Sequence, residues 1–241
     1  MKTKGFDSLT LHDDLLLSLP MSEGGGTILT QDVAKPHHPV TLVHAPVWTA
    51  LGTSLQVLAF DGANDYMECA AADCVDLDFT AGDFSLACWC YWTGTSSDIV
   101  MARYKLDPTG ADPSGWETYF DDTIPAVSLT LRFHHIAGGG SYRTGCYSTG
   151  WTKNTWWLMG ISRSGAYPLM YRNGQGVTVT YDAGGLTDPR TSDDDLVIGT
   201  RFSKDTNFWT GQLWNPRIWG RNLAAAEHMA IFNRERHLFG V

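Results

Sequence analysis

The sequence predicts an all-β protein, a two-sheet antiparallel jelly-roll sandwich with one C-terminal helix. Short apolar runs bounded by turn residues recur along the 241-residue chain, and 25 glycines and 10 prolines are spread between them. Strands do not alternate with helical segments, which argues against a parallel sheet. With 43% hydrophobic residues the chain can form one large core. We therefore expect a single domain over residues 1–241, with an N-terminal strand and loop at 1–50.

The strand predictions follow from these apolar runs in chain order. A first strand lies within residues 11–19, and two more, at 55–60 and 65–71, flank a tight turn that contains glycine. The later runs occupy residues 84–92, 97–104, 116–122, 128–135, 143–149, 155–164 and 167–171. Asn173-Gly174 predicts a hairpin after the last of these, because both residues tolerate positive φ in a type I′ turn.

The run at residues 84–92 is apolar at both alternating sets of positions, which predicts a central strand covered on both faces. Cys88 and Cys90 share one face of this strand. The five cysteines are an odd number and lack the paired spacing of a zinc site, so we expect buried, reduced thiols. The adjacent His37 and His38, flanked by prolines, are expected in an exposed turn rather than at a metal.

The last segment of the chain predicts the helix, at about residues 223–238. Apolar residues recur there at helical spacing, so that one stripe can pack on the sandwich. Asn222 is a residue type that favours the N-cap position. A start at Ala224 is the alternative, and it would leave Glu227 as half of a capping box.

The charge of the chain limits its partners. The formal net charge is −9, and acidic residues such as Asp193, Asp194 and Asp195 lie in predicted loops, which disfavours binding to nucleic acid. The N-terminus lacks the apolar region of a signal peptide, and the chain lacks an apolar run long enough to span a membrane. We therefore expect no nucleic-acid partner, no membrane association and no export by a signal peptide.

Six blocks of sequence carry a resemblance to a known family, and the resemblance covers most of the chain, from about Leu15 to Phe239. The blocks are FDGANDYMEC, DFSLACWCYWT, TWWLMGISRSG, LMYRNG, DLVIGTRF and NFWTGQLWNPRIWGRNLAAAEHMAIF. Their order and spacing resemble the concanavalin A-like lectin/glucanase superfamily, specifically its laminin G-like and pentraxin-like jelly rolls. The resemblance implies two antiparallel sheets packed face to face, one of them concave.

The resemblance also implies a structural calcium ion, because family members often carry one. Its ligands here would be Asp32, Asp61, Asn64 and Asp65, and Asn215 stands where an aspartate is more usual. Calcium takes about six to eight oxygen ligands, several of them anionic. The alternative is that residues 61–65 form a turn through hydrogen bonds from side chain to backbone. The sequence leaves both alternatives open.

Glycoside hydrolases of this superfamily place three acidic residues at alternate positions on the concave face. The nearest match is Glu117, Tyr119 and Asp121, where tyrosine replaces the middle acid. At ~3.3 Å per residue the outer two Cα atoms lie roughly 13 Å apart, whereas a retaining pair needs carboxyl groups about 5 Å apart. The sequence also lacks a G-x-S-x-G nucleophile elbow. We assign no catalytic residue and expect no enzymatic activity.

Several aromatic residues are candidates for binding a glycan or a protein partner. They lie in or beside predicted loops with Asp, Asn and Arg neighbours, an arrangement typical of exposed platforms for sugars. The candidates are Trp116, Tyr142, Trp151, Phe208 and Trp209. Packing in the core or at its rim is the alternative for each of them.

The ending NRERHLFG extends the resemblance to laminin G-like proteins encoded by bacteriophages and prophages. Such proteins sit on virions as capsid decoration, tail or adhesin proteins, and they leave the host by lysis, without a signal peptide. We therefore predict a non-enzymatic structural protein of the virion surface that also binds glycans. Its partners would be other virion proteins, copies of itself and cell-surface glycans. The alternatives are a free lectin-like module in the cytoplasm and a glycoside hydrolase.

Overall fold

A computed structural model describes residues 11–26, 28–106, 112–123, 126–137 and 140–241, without the side chains of 136, 137 and 140–142. Strands are its main regular structure, and two short 3-10 turns lie at Ala71–Asp73 and Val75–Leu77. The elements are β1 (Leu15–Ser18), β2 (Leu29–Gln31), β3 (Pro39–Val43), β4 (Val47–Ala50), β5 (Gln56–Asp61), β6 (Tyr66–Cys69), β7 (Phe84–Trp92), β8 (Ser97–Lys105), β9 (Ser114–Asp121), β10 (Ser128–Ala137), β11 (Gly140–Thr149), β12 (Trp156–Arg163), β13 (Leu169–Arg172), β14 (Gln175–Val177), β15 (Thr180–Tyr181), β16 (Leu196–Ile198), β17 (Thr210–Trp219) and α1 (Ala225–Phe239).

The strands form two antiparallel sheets. The eight-stranded sheet has the order β14-β13-β12-β7-β17-β5-β4, and β1 pairs with β17 beside this path. The nine-stranded sheet has the order β15-β11-β10-β9-β8-β16-β6-β3-β2. Neighbours in each sheet include strands that are distant in sequence, as in a jelly roll. The predicted fold class, a two-sheet antiparallel sandwich with one C-terminal helix, is confirmed.

Alternate side chains of each strand meet in the core between the sheets. Phe84 of β7 packs on Trp116 of β9 with ring centroids 6.0 Å apart, and Trp92 packs on Phe120 at 5.7 Å. Each such buried aromatic side chain contributes about 1.5–3 kcal/mol through removal from water. Cys88 is buried in this core, and all five cysteines are free thiols.

The helix packs on the outer face of the eight-stranded sheet. The Trp89 ring of β7 stacks on Phe239 with centroids 4.0 Å apart, and its Nε1 donates a 2.8 Å hydrogen bond to Glu235. The backbone N–H of Ala224 donates to the Glu227 carboxylate at 2.9 Å, so the helix begins with the half capping box that the sequence offered as the alternative. The predicted helix is confirmed, and β7 is covered on both faces.

One local prediction is wrong. His37 is exposed, but His38 is buried between two carboxylates, with Nδ1 2.8 Å from Asp32 and Nε2 2.9 Å from Asp76. Asp32 also accepts hydrogen bonds from three backbone N–H groups, which fold the segment back on itself. Burial lowers the pKa of His38, but the hydrogen bonds to Asp32 and Asp76 outweigh burial and raise that pKa to about 9.

Candidate functional site

The outer face of the nine-stranded sheet, opposite the side covered by the helix, carries a cleft of about 300 Å³. Four neighbouring strands, β8 to β11, form its floor and walls, and the connection between β16 and β17 forms one rim. Its lining residues are Ser97, Ile99, Tyr104, Leu106, Glu117, Tyr119, Asp121, Arg132, Arg143, Arg201 and Asn207. We call this site the outer cleft.

Strand alternation and register decide which side chains meet in the outer cleft. In β9 the residues Glu117, Tyr119 and Asp121 point outward because Trp116 and Phe120, one residue away, point into the core. The registers of β9 with β10 and of β10 with β11 place further polar residues beside them. Side chains directly opposite each other in an antiparallel pair share a face.

A buried carboxylate lies at the centre of the floor. Oε1 of Glu117 accepts a 3.1 Å hydrogen bond from Nη1 of Arg132 and lies 3.2 Å from Nε2 of His134. The His134 ring stacks on Tyr104 with centroids 4.5 Å apart. Burial raises the pKa of the Glu117 carboxyl, but the hydrogen bond from His134 and the charge of Arg132 outweigh burial and hold that pKa below its usual range.

Two tyrosines complete the floor. Tyr104 and Tyr119 form a small hydrophobic cluster with Ile99, Ala102 and Val197, separate from the core between the sheets. Arg132 lies over the Tyr119 ring, with its Cζ 4.9 Å from the centroid. Burial raises the pKa of Tyr119 to about 12, so its hydroxyl group stays protonated at neutral pH and can donate a hydrogen bond.

The segment from residue 199 to 209 forms the rim. It is anchored to β8 by hydrogen bonds from Gly199 N to Val100 O at 3.2 Å and from Ile99 N to Asn207 O at 3.1 Å. The ring of Phe202 meets Tyr104 edge-on at 5.0 Å, and the Arg201 guanidinium lies over Phe202, 4.9 Å from its centroid. These contacts hold Arg201 at the edge of the outer cleft.

Two of the three arginines that line the outer cleft have no carboxylate partner within the described ranges. Nε of Arg201 is buried and has no hydrogen-bond partner there, and Arg143 is exposed and makes no ion pair there. Arg132, in contrast, is paired with Glu117. The outer cleft therefore offers two free guanidinium groups to a ligand.

Asp121, the second carboxylate of the outer cleft, is already hydrogen-bonded. Its Oδ1 accepts from the backbone N–H of Thr123 at 2.7 Å and from the Thr123 hydroxyl at 2.6 Å. Its Oδ2 accepts from the Ser97 hydroxyl at 2.9 Å. Asp121 fixes the end of β9 through these bonds, and it lies four residues from Glu117 along one strand.

Three of the predicted aromatic platforms are not at the surface. Trp116 and Trp209 are 0% exposed and Trp151 is 3% exposed. Nε1 of Trp116 donates to the Leu77 carbonyl at 3.0 Å, and Nε1 of Trp151 donates to the Ser148 hydroxyl at 3.1 Å. The expectation that these side chains are exposed is wrong, because all three point into the hydrophobic core.

Phe208 and Tyr142 differ from those tryptophans. Phe208 is half-buried and lines a second, open depression of about 370 Å³ that shares Ser97 and Asn207 with the outer cleft, so the two depressions adjoin. The backbone of Tyr142 pairs with His135 across β10 and β11. The Tyr142 side chain lies outside the described part of the structure, so its role stays a prediction.

The four residues predicted to bind calcium do not form one ligand set. Asp32 is held beside Ser18, whose hydroxyl in turn donates to Oδ1 of Asn215 at 3.1 Å. Asn215 lies in the middle of β17, whereas Asp61 pairs with Thr210, the first residue of that strand. Within the described ranges, the structure has no cluster of three or more His, Cys, Asp and Glu side chains suited to a metal ion.

Asp61, Asn64 and Asp65 lie together in the turn between β5 and β6. Oδ1 of Asp61 accepts from the backbone N–H groups of Ala63 at 2.8 Å and Asn64 at 3.3 Å, and the backbone N–H of Asp61 donates to Asp65 at 3.3 Å. These bonds are those of the turn that the sequence offered as the alternative. Calcium binding by these three residues stays a prediction.

The free arginines of the outer cleft were missed by sequence reasoning. The segment SLTLRFHH alternates apolar and polar residues, which would have placed Arg132 and His134 on the outer face. Arg143 and Arg201 gave no such signal, because one depends on the register of β11 and the other on the path of a loop. Among the described residues, no helix is long and apolar enough to cross a membrane.

Comparisons with known proteins agree with this architecture. Solved structures similar to the chain include the botulinum neurotoxin serotype G binding domain, with a TM-score of 0.66 and 13% identity over 92% of this chain and 51% of that one. Another is the botulinum neurotoxin D receptor binding domain, with a TM-score of 0.64 and 11% identity over 93% and 53%.

A third is the botulinum neurotoxin serotype D ligand binding domain in complex with N-acetylneuraminic acid, with a TM-score of 0.64 and 10% identity over 93% and 52%. The chain thus spans about half the length of these structures, and identities this low show a shared fold alone.

No curated protein matches the chain. A family model described as the concanavalin A-like lectin/glucanases superfamily matches residues 61–227. Since that match covers more than half of the chain, the protein belongs to the concanavalin A-like lectin/glucanase superfamily.

Proposed function

We propose that the protein is a non-enzymatic carbohydrate-binding domain and that the outer cleft is its binding site. The observation that carries the proposal is a set of polar side chains around one cleft: Arg143 and Arg201, which have no carboxylate partner within the described ranges, and the Tyr119 hydroxyl, which can donate a hydrogen bond. Sugars present many hydroxyl groups, so a sugar site needs several fixed donors and acceptors beside apolar surface. The tyrosine floor and the rim at residues 199–209 supply both.

The state of Glu117 supports binding rather than hydrolysis. A glycosidase needs a general acid with a raised pKa, and the pKa of Glu117 is lowered. Both of its neighbours, Arg132 and His134, stabilise the ionised form. Asp121 lies about 13 Å away along the strand at ~3.3 Å per residue, which is too far for a retaining pair.

The structural neighbours add support of a general kind. Three of them are named as binding domains, and one is described in complex with N-acetylneuraminic acid, an acidic sugar. They share the fold with this chain and span about twice its length. The support therefore concerns the class of ligand that this fold can hold, and the argument for the outer cleft rests on its own residues.

The proposed setting of this activity is the surface of a virion, as a capsid decoration, tail or adhesin protein. The support for this setting is the sequence resemblance to laminin G-like proteins of bacteriophages and prophages. Gold-labelled antibodies against the protein should then decorate virus particles from the source in electron micrographs. Labelling of cell material without particles would favour a free lectin-like module.

The proposed site is tested by mapping a bound glycan. A glycan array identifies oligosaccharides that bind, and nuclear magnetic resonance of the labelled protein then shows which backbone amides shift on titration. We expect the shifts to concentrate in β9, β10 and the segment 199–209. Shifts concentrated in α1 and absent from β9, β10 and the segment 199–209, or the absence of any binding glycan, would contradict the proposal.

A further inference from the structure

Resting on the proposed function, we propose that the outer cleft selects acidic glycans, which carry a carboxylate or sulfate group, and that Arg201 and Arg143 bind this group. The whole protein has a formal net charge of −9, so general attraction of anions is not expected. An anion must therefore be recognised by local groups. Within the described part of the structure, the outer cleft carries two arginines, Arg143 and Arg201, that have no carboxylate partner.

The charges that line the outer cleft divide into satisfied and free groups. Glu117 pairs with Arg132 and is hydrogen-bonded to His134, and the oxygens of Asp121 accept three hydrogen bonds from Ser97 and Thr123. Neither carboxylate forms an ion pair with Arg143 or Arg201 within the described ranges. Three arginines and two carboxylates line the outer cleft, so its balance of arginine and carboxylate charges is positive.

Arg201 has a buried hydrogen-bond donor that is left without an acceptor among the described residues. Its Nε is buried and has no hydrogen-bond partner within the described part of the chain. A buried donor without a partner is rare and unfavourable, and it is relieved when an acceptor arrives. A carboxylate or sulfate oxygen is such an acceptor, and a guanidinium group can hold it with two parallel hydrogen bonds.

The position of Arg201 is also fixed before a ligand binds. Its guanidinium lies over the Phe202 ring. That ring in turn packs edge-on against Tyr104 of the floor, with the ring centroids 5.0 Å apart. The side chain therefore loses less conformational freedom on binding than a mobile surface arginine would. Arg143 of β11, on the opposite side, is exposed and lines the same cleft.

A volume of about 300 Å³ is at the lower end of small-ligand sites. The outer cleft therefore suits one acidic sugar unit, and neighbouring sugar units of the same oligosaccharide would lie in the adjoining depression beside Phe208. A long polyanion such as nucleic acid is disfavoured, because the net negative charge of the rest of the protein repels it.

The test compares acidic oligosaccharides with their neutral counterparts by titration calorimetry on the full chain. The probes are 3′-sialyllactose against lactose, and a chondroitin sulfate tetrasaccharide against its desulfated form. We expect at least one acidic probe to bind about tenfold or more tightly than its neutral counterpart, with an affinity that falls as salt is raised.

Arg201→Gln should weaken binding of that acidic probe by about 10- to 100-fold, which corresponds to loss of a charge-assisted hydrogen bond. It should weaken binding of a neutral glycan by a smaller factor, because a sugar hydroxyl loses only an ordinary hydrogen bond there and not a charge-assisted one. Arg236→Gln, on the exposed side of α1, makes the same change of charge away from the outer cleft and should leave both affinities unchanged. Arg201→Lys should restore part of the loss, since it keeps the charge without the fork geometry.

The outcomes separate this inference from the proposed function. If glycans bind in the outer cleft but acidic and neutral members of each pair bind equally, the preference for anions is overturned and carbohydrate binding stands. If Arg236→Gln weakens binding as much as Arg201→Gln, general charge explains the preference and the inference is overturned. If no glycan binds, both proposals fail. The ratio of affinities in the unaltered protein is informative even if Arg201→Gln does not fold.

Discussion

The guanidinium of Arg132 donates a 3.1 Å hydrogen bond to the carboxylate of Glu117, which is 4% exposed. This pair engages the buried carboxylate at the centre of the floor of the outer cleft, and Asp121, the other carboxylate that lines it, is hydrogen-bonded to Ser97 and Thr123. Within the described ranges, Arg201 of the rim and Arg143 of β11 have no carboxylate partner. The pair therefore decides both what the cleft can bind and why Glu117 is a poor candidate for catalysis.

Glu117→Ala should destabilise the protein, because it leaves Arg132 and His134 without their shared acceptor on the floor of the cleft. We expect the free energy of unfolding to fall by about 1–3 kcal/mol, measured by urea denaturation. Asp205→Asn, at an exposed position of the rim segment, is the control and should change it by less than about 0.5 kcal/mol. Equal effects of the two variants would show that the Glu117 pair does not support the fold.

The buried His38 should make stability depend on alkaline pH. Its pKa is raised to about 9 in the folded protein, against about 6.5 in an unfolded chain. The folded state therefore holds a proton that the unfolded state releases, so the stabilisation is fully present below about pH 6.5 and is lost as pH rises through about 9.

Urea denaturation at a series of pH values checks this expectation. The free energy of unfolding should fall between about pH 6.5 and 9 in the unaltered protein, and His38→Gln should flatten this fall. His37→Gln is the matched control, because His37 is exposed, and it should keep the pH dependence. A slope that persists in His38→Gln would assign the effect to another group.

Gly174, at the tip of the β13–β14 hairpin, should be more sensitive to alanine than Gly165, which also has a positive φ. Its φ is +75°, and a Cβ there would lie 2.7 Å from the Cα of Met229 in α1. Gly165 has a similar φ of +71° but open space around it. Both substitutions carry the backbone strain of about 1 kcal/mol, and only Gly174→Ala adds a clash with the helix.

We therefore expect Gly174→Ala to lower the free energy of unfolding by about 1–3 kcal/mol more than Gly165→Ala does, in the same denaturation assay. A larger loss is expected because the clash is with backbone, which has little freedom to move. Equal losses would show that the hairpin tip and α1 are not in close contact.

Two buried tryptophans should differ in their tolerance of phenylalanine. Trp116 and Trp209 are both 0% exposed, but Nε1 of Trp116 donates to the Leu77 carbonyl at 3.0 Å, whereas Nε1 of Trp209 has no hydrogen-bond partner within the described ranges. Trp116→Phe should therefore cost about 1 kcal/mol more than Trp209→Phe in urea denaturation. The opposite order would show that packing volume, and not the hydrogen bond, determines the loss at these sites.

Neither of these tryptophan variants should change the affinity for a glycan, because neither side chain reaches the surface. This outcome would exclude both side chains as platforms for a glycan, a role that the sequence suggested for them. The sequence predicts a strand that starts at Trp116, beside a loop, whereas β9 begins two residues earlier, at Ser114, and Trp116 is an inward-facing residue within the strand. Trp209 directly precedes β17 and points inward in the same way.

The sandwich and its helix were predictable because they depend on local patterns. Alternation with a period of two identifies the buried strands, and the Asn173-Gly174 pair identifies the hairpin, with φ values of 51° and 75°. The outer cleft was not predictable in the same way. Glu117 meets Arg132 through a register set by a loop, and Arg201 reaches the cleft through the path of a connection between the sheets.

The burial of His38 shows the same limit at shorter range. Flanking prolines indicate a turn, and they say nothing about the two carboxylates, Asp32 and Asp76, that surround the ring. The second lies 38 residues away in sequence and arrives only through the packing of the sheets. Residue types near one another in sequence therefore predicted elements, whereas charge pairs required the tertiary structure.

The central claim is that the outer cleft on the nine-stranded sheet binds carbohydrate. The most direct test is a crystal structure of the protein with the tightest-binding oligosaccharide from the array. Our account predicts electron density for a sugar unit between Arg201 and Tyr119, with hydrogen bonds to the guanidinium group. Density for the sugar at the 61–65 turn or against α1, with the outer cleft holding none, would contradict it.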